Sequence, residues 1–237
     1  MPIINRIAEF HDDMTAWRRD LHQHPETAFE ERRTSDFVAE KLESFGIEVS
    51  RGLAKTGVVG VLHGARPGPG KIALRADMDA LDILETTGKP HASKIPGKMH
   101  ACGHDGHTTM LLGAARHLAE TRNFAGTVYF VFQPAEETAG GGREMVKEGL
   151  FDQFPADAIY GMHNWPGMPV GEFGVMSGPM MAGSDIFEIA IHGKGAHAAM
   201  PYMGVDSLLV ASHAMTALQS IASRSVHPVD SIVVSVT

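Results

Sequence analysis

The chain of 237 residues carries 28 acidic and 20 basic side chains, and its net charge of −8 disfavours nucleic acid and anionic membranes as partners. A single cysteine excludes an internal disulfide and suits a reducing compartment, and no apolar run is long enough to cross a bilayer. With 43% hydrophobic residues, the sequence predicts a globular cytoplasmic protein with neither a membrane nor a nucleic-acid partner.

The N-terminal part of the sequence predicts two helices. Apolar residues recur at helical spacing over residues 4–22, which predicts the first helix. We expect this helix to end before Pro25, because the residue before a proline disfavours helical geometry. Thr27 and Glu30 have the form of a capping box, which predicts a second helix from there to about Phe45.

Four short apolar runs then predict strands, and two amphipathic stretches between them predict helices. The predicted strands are residues 57–62, 72–74, 127–132 and 158–162, and the predicted helices are residues 108–120 and 143–147. Alternating strands and helices are typical of an α/β fold. The run at 127–132 is apolar throughout, as expected for a strand buried on both faces.

Polar side chains follow three of these strands at the point where each strand ends. In chain order they are Asp77 and Asp79, then Glu136 and Glu137, then His163. The carboxyl ends of parallel strands meet at one edge of an α/β sheet, and ligands bind there. If these strands are parallel, we expect the five side chains to converge.

Residues 99–107 add one thiol, three imidazoles and one carboxylate to this set. Cysteine and histidine are ligands for zinc, nickel, manganese or iron. Cys102 and His104 form a Cys-x-His pair, which is a weak signal when it stands alone. Together with His163 and the two glutamates, the pair predicts a site for one or two divalent ions.

The adjacent carboxylates Glu136 and Glu137 indicate a division of labour. Neighbouring residues in an extended chain point in opposite directions, so one is expected to bind metal and the other to act as a general base. A solvated acidic loop is the plain alternative. It is disfavoured here because the pair directly follows a fully apolar strand.

The sequence resembles the metal-dependent N-acyl-amino-acid amidohydrolases, which include hippurate hydrolase and the plant auxin-amide hydrolases, within a carboxypeptidase-like metallohydrolase superfamily. The matching stretches follow one another in order along the chain, at residues 18–31, 74–81, 99–107, 133–137, 161–164 and 193–201. One departure is Asp82, where the family commonly has proline.

This resemblance implies a set of site residues. The metal ligands would be Cys102, His104, Glu137 and His163, holding two divalent ions that are zinc, manganese, nickel or cobalt. Glu136 would be the catalytic base, and Asp79 would orient the ligands without binding metal. More distant relatives place a carboxylate at the position of Cys102, so its thiolate is expected to bridge the two ions.

The resemblance also implies two domains. Residues 1–183 would be the incomplete catalytic domain, with a mixed central sheet and flanking helices as in zinc exopeptidases. Residues 184–237 would be the first half of a ferredoxin-like α+β lid and dimerisation domain, with strands at 187–191 and 231–236 around a helix. Its His197 would reach an active site, typically the partner subunit's in a homodimer, and donate to the oxyanion.

The sequence therefore predicts metal-dependent hydrolysis of the amide bond in small N-acyl amino acids, with Glu136 as general base to a metal-bound water. Two alternatives stay open. One is a catalytically inactive metal-binding or dimerisation protein, because family members are longer and this chain is expected to be a fragment with little activity. The other is a cysteine-nucleophile hydrolase in which Cys102 attacks and His104 is the base.

Overall fold

The computed structural model describes residues 4–237, which divide into two compact units. The first unit ends at Glu172, and the second runs from Phe173 to Thr237. The predicted catalytic domain, residues 1–183, begins with three residues outside the described part of the chain. The predicted boundary after Gly183 differs from this division, and the assignment of the units to two functional domains stays a prediction.

Helices and strands alternate along the first unit, which confirms the predicted mixed α/β fold. Its helices are α1 (Asn5–Glu9), α2 (His11–Gln23), α3 (Arg32–Ser44), α4 (His104–Thr121), α5 (Gly141–Lys147) and α6 (Leu150–Gln153). Its strands are β1 (Glu48–Arg51), β2 (Val58–His63), β3 (Arg66–Asp77), β4 (Ala125–Gln133) and β5 (Ala158–Gly161).

These strands form one mixed sheet in the order β1-β2-β4-β3-β5. Strand β3 runs parallel to both β4 and β5, whereas β2 is antiparallel to both of its neighbours. The register pairs Asp77 with Gln133 at the carboxyl ends of β3 and β4, and it pairs Arg75 with Gly161 at the end of β5. The chain therefore leaves all three parallel strands at the same edge of the sheet, as the sequence analysis expects.

The central strand β4 is buried on both faces, which confirms the interpretation of its apolar sequence. Val128, Phe130 and Phe132 lie on one face and pack against α3 and α4. Tyr129 and Val131 point to the opposite face and pack against α5 and α6, because alternate residues of a strand face opposite sides. Helices on both sides of the sheet thus fix the strand ends from which the polar side chains project.

Helix α3 begins later than the predicted capping box, so that prediction is wrong. Thr27 forms an isolated bridge with Ala80 instead of capping a helix, and Phe29 has a φ of +62°. The carboxylate of Glu26 accepts the first free N–H groups of α3, at 3.0 Å from Arg33 N and 2.8 Å from Thr34 N. A side chain outside the predicted capping box therefore accepts the unpaired N–H groups at the start of α3.

Two further local features differ from the sequence prediction. The single helix predicted over residues 4–22 is interrupted at Phe10, whose N–H donates to Ile7 O at 3.0 Å and whose buried ring lies beneath the Arg116 guanidinium. Strand β1 was not predicted because its sequence contains no apolar run. It lies at the edge of the sheet, where half-exposed polar residues are tolerated.

The second unit contains helix α7 (Ser207–Leu218), which lies between the two predicted strands, where a helix is expected. Asp206 caps this helix, because its Oδ1 accepts the N–H groups of Leu208 at 2.9 Å and Leu209 at 3.1 Å. Within residues 4–237, neither α7 nor any other helix combines the length and apolarity that a membrane span requires.

The two strands predicted in the second unit, at 187–191 and 231–236, do not form in the described chain. Phe187 and Ile189 are more than half exposed, and the backbone pairing nearby is an isolated bridge between Lys194 and Val205. An alternating sequence becomes a strand only when a neighbour takes up its N–H and C=O groups. The ferredoxin-like lid therefore stays a prediction.

Candidate metal centre

The loop that follows β3 ends in a sharp turn at Gly103, and this turn separates two ligand-type side chains. Gly103 has a φ of +89°, in the left-handed region that favours glycine. A Cβ atom at this position would lie 2.2 Å from Nδ2 of Asn164, so a larger residue would force the Asn164 side chain to move. The turn leaves Cys102 at the end of the loop and His104 as the first residue of α4.

The imidazole of His104 is fully buried among four carboxylates. Its Nδ1 lies 3.3 Å from Asp79 Oδ1, and its Nε2 lies 3.7 Å from Asp77 Oδ1, 3.7 Å from Glu137 Oε1 and 4.0 Å from Glu136 Oε2. Burial lowers the pKa of His104, but the surrounding negative charges outweigh burial and raise that pKa above its ordinary value. The site therefore attracts positive charge.

His163 approaches this cluster on the loop after β5. Its Nε2 lies 3.3 Å from Sγ of Cys102. Its Nδ1–H donates to the carbonyl oxygen of Asn164 at 2.6 Å, which leaves the lone pair of Nε2 directed at the sulfur. Burial raises the pKa of the Cys102 thiol, and the carboxylates of Glu137 and Glu136 raise it further, to about 12.

Three overlapping groups of donors could each hold a metal ion. They are Cys102, His104 and His163; Asp77, His104 and His107; and His104, Glu136 and Glu137, and in each group the donor atoms lie within 4.8 Å of one another. Both ring nitrogens of His104, Oδ1 of Asp79 and Oε1 of Glu137 are buried without a hydrogen-bond partner among the described residues. Buried polar atoms of this kind are rare, and a cation fits them.

A third histidine, His107, contacts the residues around the donor groups. Nδ1–H of His107 donates to Oδ1 of Asp77 at 2.6 Å, and Nε2 of His107 lies 2.6 Å from the side-chain oxygen of Asn164 and 3.0 Å from its backbone nitrogen. Burial alone would raise the pKa of Asp77, but the hydrogen bond from His107 and the charges of His104 and Arg75 lower it to about 2. This chain of contacts connects the end of β3, through α4, to the loop that carries His163.

The adjacent glutamates occupy different environments, as the sequence analysis expects. The backbone N–H of Glu137 donates to Oδ2 of Asp79 at 3.0 Å, and the Glu137 side chain is 20% exposed. The Glu136 side chain is 39% exposed. Burial raises the pKa of Glu136, and the negative charges of Glu137 and Asp77 add to that increase. A carboxylate with a raised pKa and access to solvent is suited to moving protons.

The structure thus brings Cys102, His104, Glu136, Glu137 and His163 together in the first unit, and their individual roles as ligands or base stay predictions. His197 belongs to the second unit, where its Nδ1 accepts the N–H of Ala199 at 3.1 Å. Its predicted role toward an oxyanion also stays a prediction.

The sequence prediction places Asp77 and His107 near the site but gives neither of them a role. Each has a signal in the sequence that points to it. His104 and His107 are three residues apart at the start of a helix and so share one side of it. Asp77 alternates with Asp79, so the two carboxylates leave the end of β3 on the same side.

The chain belongs to the peptidase family M20/M25/M40, which matches it over residues 73–235. It is 47% identical over 234 residues to an N-acyl-L-amino acid amidohydrolase from Geobacillus stearothermophilus, and 45% identical over 236 residues to a hippurate hydrolase from Campylobacter jejuni. These alignments cover 98% and 100% of this chain but 62% and 61% of the relatives. The resemblance inferred from the sequence is confirmed.

Among solved structures, the fold is similar to a Bacillus subtilis protein described as a dinuclear metal binding peptidase from the M20 family. The TM-score is 0.69 and the sequence identity 46%, over 73% of this chain and 48% of that chain. This similarity confirms the predicted fold class, a mixed central sheet flanked by helices.

The contacts of Asp77 predict an effect on metal affinity. Asp77→Asn should weaken the binding of Co²⁺ by about 10- to 100-fold, because the substitution removes the negative charge beside His104 and replaces the charge-assisted hydrogen bond to His107 with a weaker neutral one. Calorimetric titration of metal-free protein would measure this. Asp12→Asn, which alters a fully exposed carboxylate, is the matched control and should bind like the wild type. Equal affinities of the wild type and both variants for Co²⁺ would show that Asp77 does not contribute to metal binding.

The pKa of Asp77 predicts a dependence of stability on pH in the metal-free protein. Because folding lowers this pKa from 3.8 to about 2, the carboxylate stabilises the folded state above about pH 4 and loses that effect as the pH falls toward 2. The shift corresponds to about 2 kcal/mol. Urea unfolding of wild type and Asp77→Asn should therefore differ most at pH 5 to 7, and the difference should shrink below pH 4. A constant difference across this range would rule the effect out.

Proposed function

We propose that the protein is a metal-dependent amidohydrolase that hydrolyses the amide bond of N-acyl amino acids. The observation that carries this proposal is the shared position of His104 in three donor groups, with the carboxylate of Glu136 at their edge. A cation-binding cluster beside a partly exposed carboxylate with a raised pKa is the arrangement that metal-assisted hydrolysis requires.

The proposed ligands are Cys102, His104, Glu137 and His163, which would hold two divalent ions. Their sulfur, nitrogen and oxygen donors suit zinc, nickel, cobalt or manganese. Divalent ions bound there would acidify a water molecule and polarise the carbonyl of the substrate. The Bacillus subtilis neighbour, described as a dinuclear metal binding peptidase, supports a count of two.

Glu136 is the proposed general base, and Glu137 the proposed ligand. Glu137 is held by its backbone contact to Asp79, and its buried Oε1 is directed at His104. The side chain of Glu136 has the greater exposure, 39% against 20% for Glu137. It can therefore take a proton from the attacking water and deliver it to the leaving nitrogen, so that a carboxylate and an amino acid are released.

The substrate class, location and assembly extend the proposal beyond the site. The relatives named as N-acyl-L-amino acid amidohydrolase and hippurate hydrolase support small N-acyl amino acids, with an aromatic or acetyl group, as substrates. The single cysteine supports a cytoplasmic location. A homodimer formed through the second unit, with His197 donating to the oxyanion, completes the proposal.

The contact between Cys102 and His163 favours one rival, in which the thiol is the nucleophile. The surroundings of the sulfur weigh against it. A nucleophilic cysteine needs positive charge nearby to stabilise its thiolate, whereas burial and the neighbouring carboxylates together raise the pKa of Cys102 to about 12. A catalytically inactive metal-binding protein is the other rival, and detectable turnover would exclude it.

Substitution of the two glutamates tests their division of labour. Glu136→Gln should lower kcat for an N-acetyl or N-benzoyl amino acid by about 10²- to 10⁴-fold while the bound metal stays at the wild-type level. Glu137→Gln is the matched control on the next residue, and it should instead lose metal. Elemental analysis and steady-state kinetics on the same samples separate the two effects. Wild-type turnover by Glu136→Gln would remove the proposed base.

Chelation and replacement of the thiol distinguish the metal mechanism from the thiol mechanism. EDTA should abolish hydrolysis, and added Co²⁺ or Mn²⁺ should restore it. Cys102→Asp should keep measurable, metal-dependent turnover because a carboxylate can also bridge divalent ions, whereas a thiol mechanism would lose all activity. Activity that resists EDTA and disappears in Cys102→Asp would establish the rival.

A further inference from the structure

Glu31 is a fully buried carboxylate that none of the site residues described above contacts. It immediately precedes α3 and lies outside the donor groups. Its Oε1 accepts the backbone N–H of Ala135 at 2.9 Å, and its Oε2 accepts the hydroxyl of Thr56 at 2.7 Å. Because Ala135 directly precedes Glu136, the carboxylate of Glu31 holds the backbone next to the proposed base.

The segments that Glu31 connects are strained. Five non-glycine residues of the described chain have a positive φ, and four of them lie close to Glu31 or its contacts. Phe29 is two residues before Glu31, Ala54 and Lys55 directly precede Thr56, and Ala135 is itself a contact of Glu31. Side chains other than glycine adopt this conformation only where the surroundings enforce it, and such strain gathers at functional sites. Glu31 is hydrogen-bonded to two of the segments in which these turns occur, through Ala135 and Thr56.

The turn at Ala135 is held on both of its backbone groups. Its N–H is bound by Glu31, and its carbonyl oxygen accepts the N–H of Gly141 at 2.9 Å. A Cβ atom on Gly141 would lie 1.8 Å from the carbonyl oxygen of Pro134, so the loop from β4 to α5 closes tightly on itself. The direction in which Glu136 leaves this loop therefore depends on the conformation at Ala135.

We infer that Glu31 is a positioning residue that aims Glu136 by fixing the left-handed turn at Ala135. This inference rests on the proposed function for the role of Glu136, and it adds a residue distant in sequence to the machinery of the site. Glu137 lies one residue further from this turn, and its backbone N–H donates to Oδ2 of Asp79 at 3.0 Å. Loss of the Glu31 contact should therefore disturb the base more than the metal ligand.

Three variants separate this role from general support of the fold. Glu31→Leu removes both acceptors and leaves the N–H of Ala135 unpaired. Thr56→Val is the matched control, because it removes the other partner of the same buried carboxylate and leaves the contact to Ala135 in place. Glu31→Gln should rescue function, since its amide oxygen can accept from Ala135 while its NH₂ group donates to the Thr56 oxygen.

The readouts are amide hydrogen exchange at residues 134–137, Co²⁺ binding by calorimetry, and kcat and KM for an N-acyl amino acid. In wild type the Ala135 amide should be protected, and Glu31→Leu should raise its exchange at least about tenfold. At equal bound metal, kcat of Glu31→Leu should fall about 10- to 100-fold below that of Thr56→Val with KM unchanged. If Glu31→Leu does not fold, Glu31→Met takes its place under the same criteria.

An unprotected Ala135 amide in wild type, or equal kcat for Glu31→Leu and Thr56→Val at equal metal content, would overturn the inference. A parallel loss of metal in Glu31→Leu would also overturn it, because the effect would then lie on the ligands. If the wild type hydrolyses no N-acyl amino acid, the proposed function fails, and the exchange and Co²⁺ data alone decide whether Glu31 fixes the turn.

Discussion

The burial of one imidazole, that of His104, is the constraint on which the site depends. Its ring has no hydrogen-bond partner among the described residues, and four carboxylates lie within 4.0 Å of it. An unpaired buried polar group costs about 1–3 kcal/mol, and several occur here side by side. Such a cluster stays folded because the sheet and its helices hold it from outside, and a divalent cation is the partner that would satisfy it.

Backbone groups and side chains around the proposed ligands hold this cluster in place. Asp79 holds the amide of Glu137, the carbonyl of Asn164 fixes the tautomer of His163, and His107 joins Asp77 to the same loop. Glu137 and His163, two of the four proposed ligands, are thus oriented by contacts made outside the donor set. Orientation of this kind is what turns a group of donors into a site with defined geometry.

Much of this organisation could be predicted from local patterns in the sequence. The apolar strands, the polar residues at their carboxyl ends and the Cys-x-His turn could be found from periodicity and position, since these depend on neighbours along the chain. The contacts of His107 with Asp77 and of Glu26 with the start of α3 could not, because they join residues distant in sequence. The lid strands were overpredicted at Phe187 and Ile189 for the same reason, since an alternating pattern does not reveal whether a pairing neighbour is present.

The peripheral place of β5 has a consequence for how the centre assembles. In the described sheet this strand pairs with β3 alone, and its Tyr160 side chain is largely exposed. A strand with one neighbour opens locally at a lower free energy than a central strand. An ion bound by both His163, which follows β5, and Cys102 would therefore close a long loop and stabilise the outermost strand against such opening.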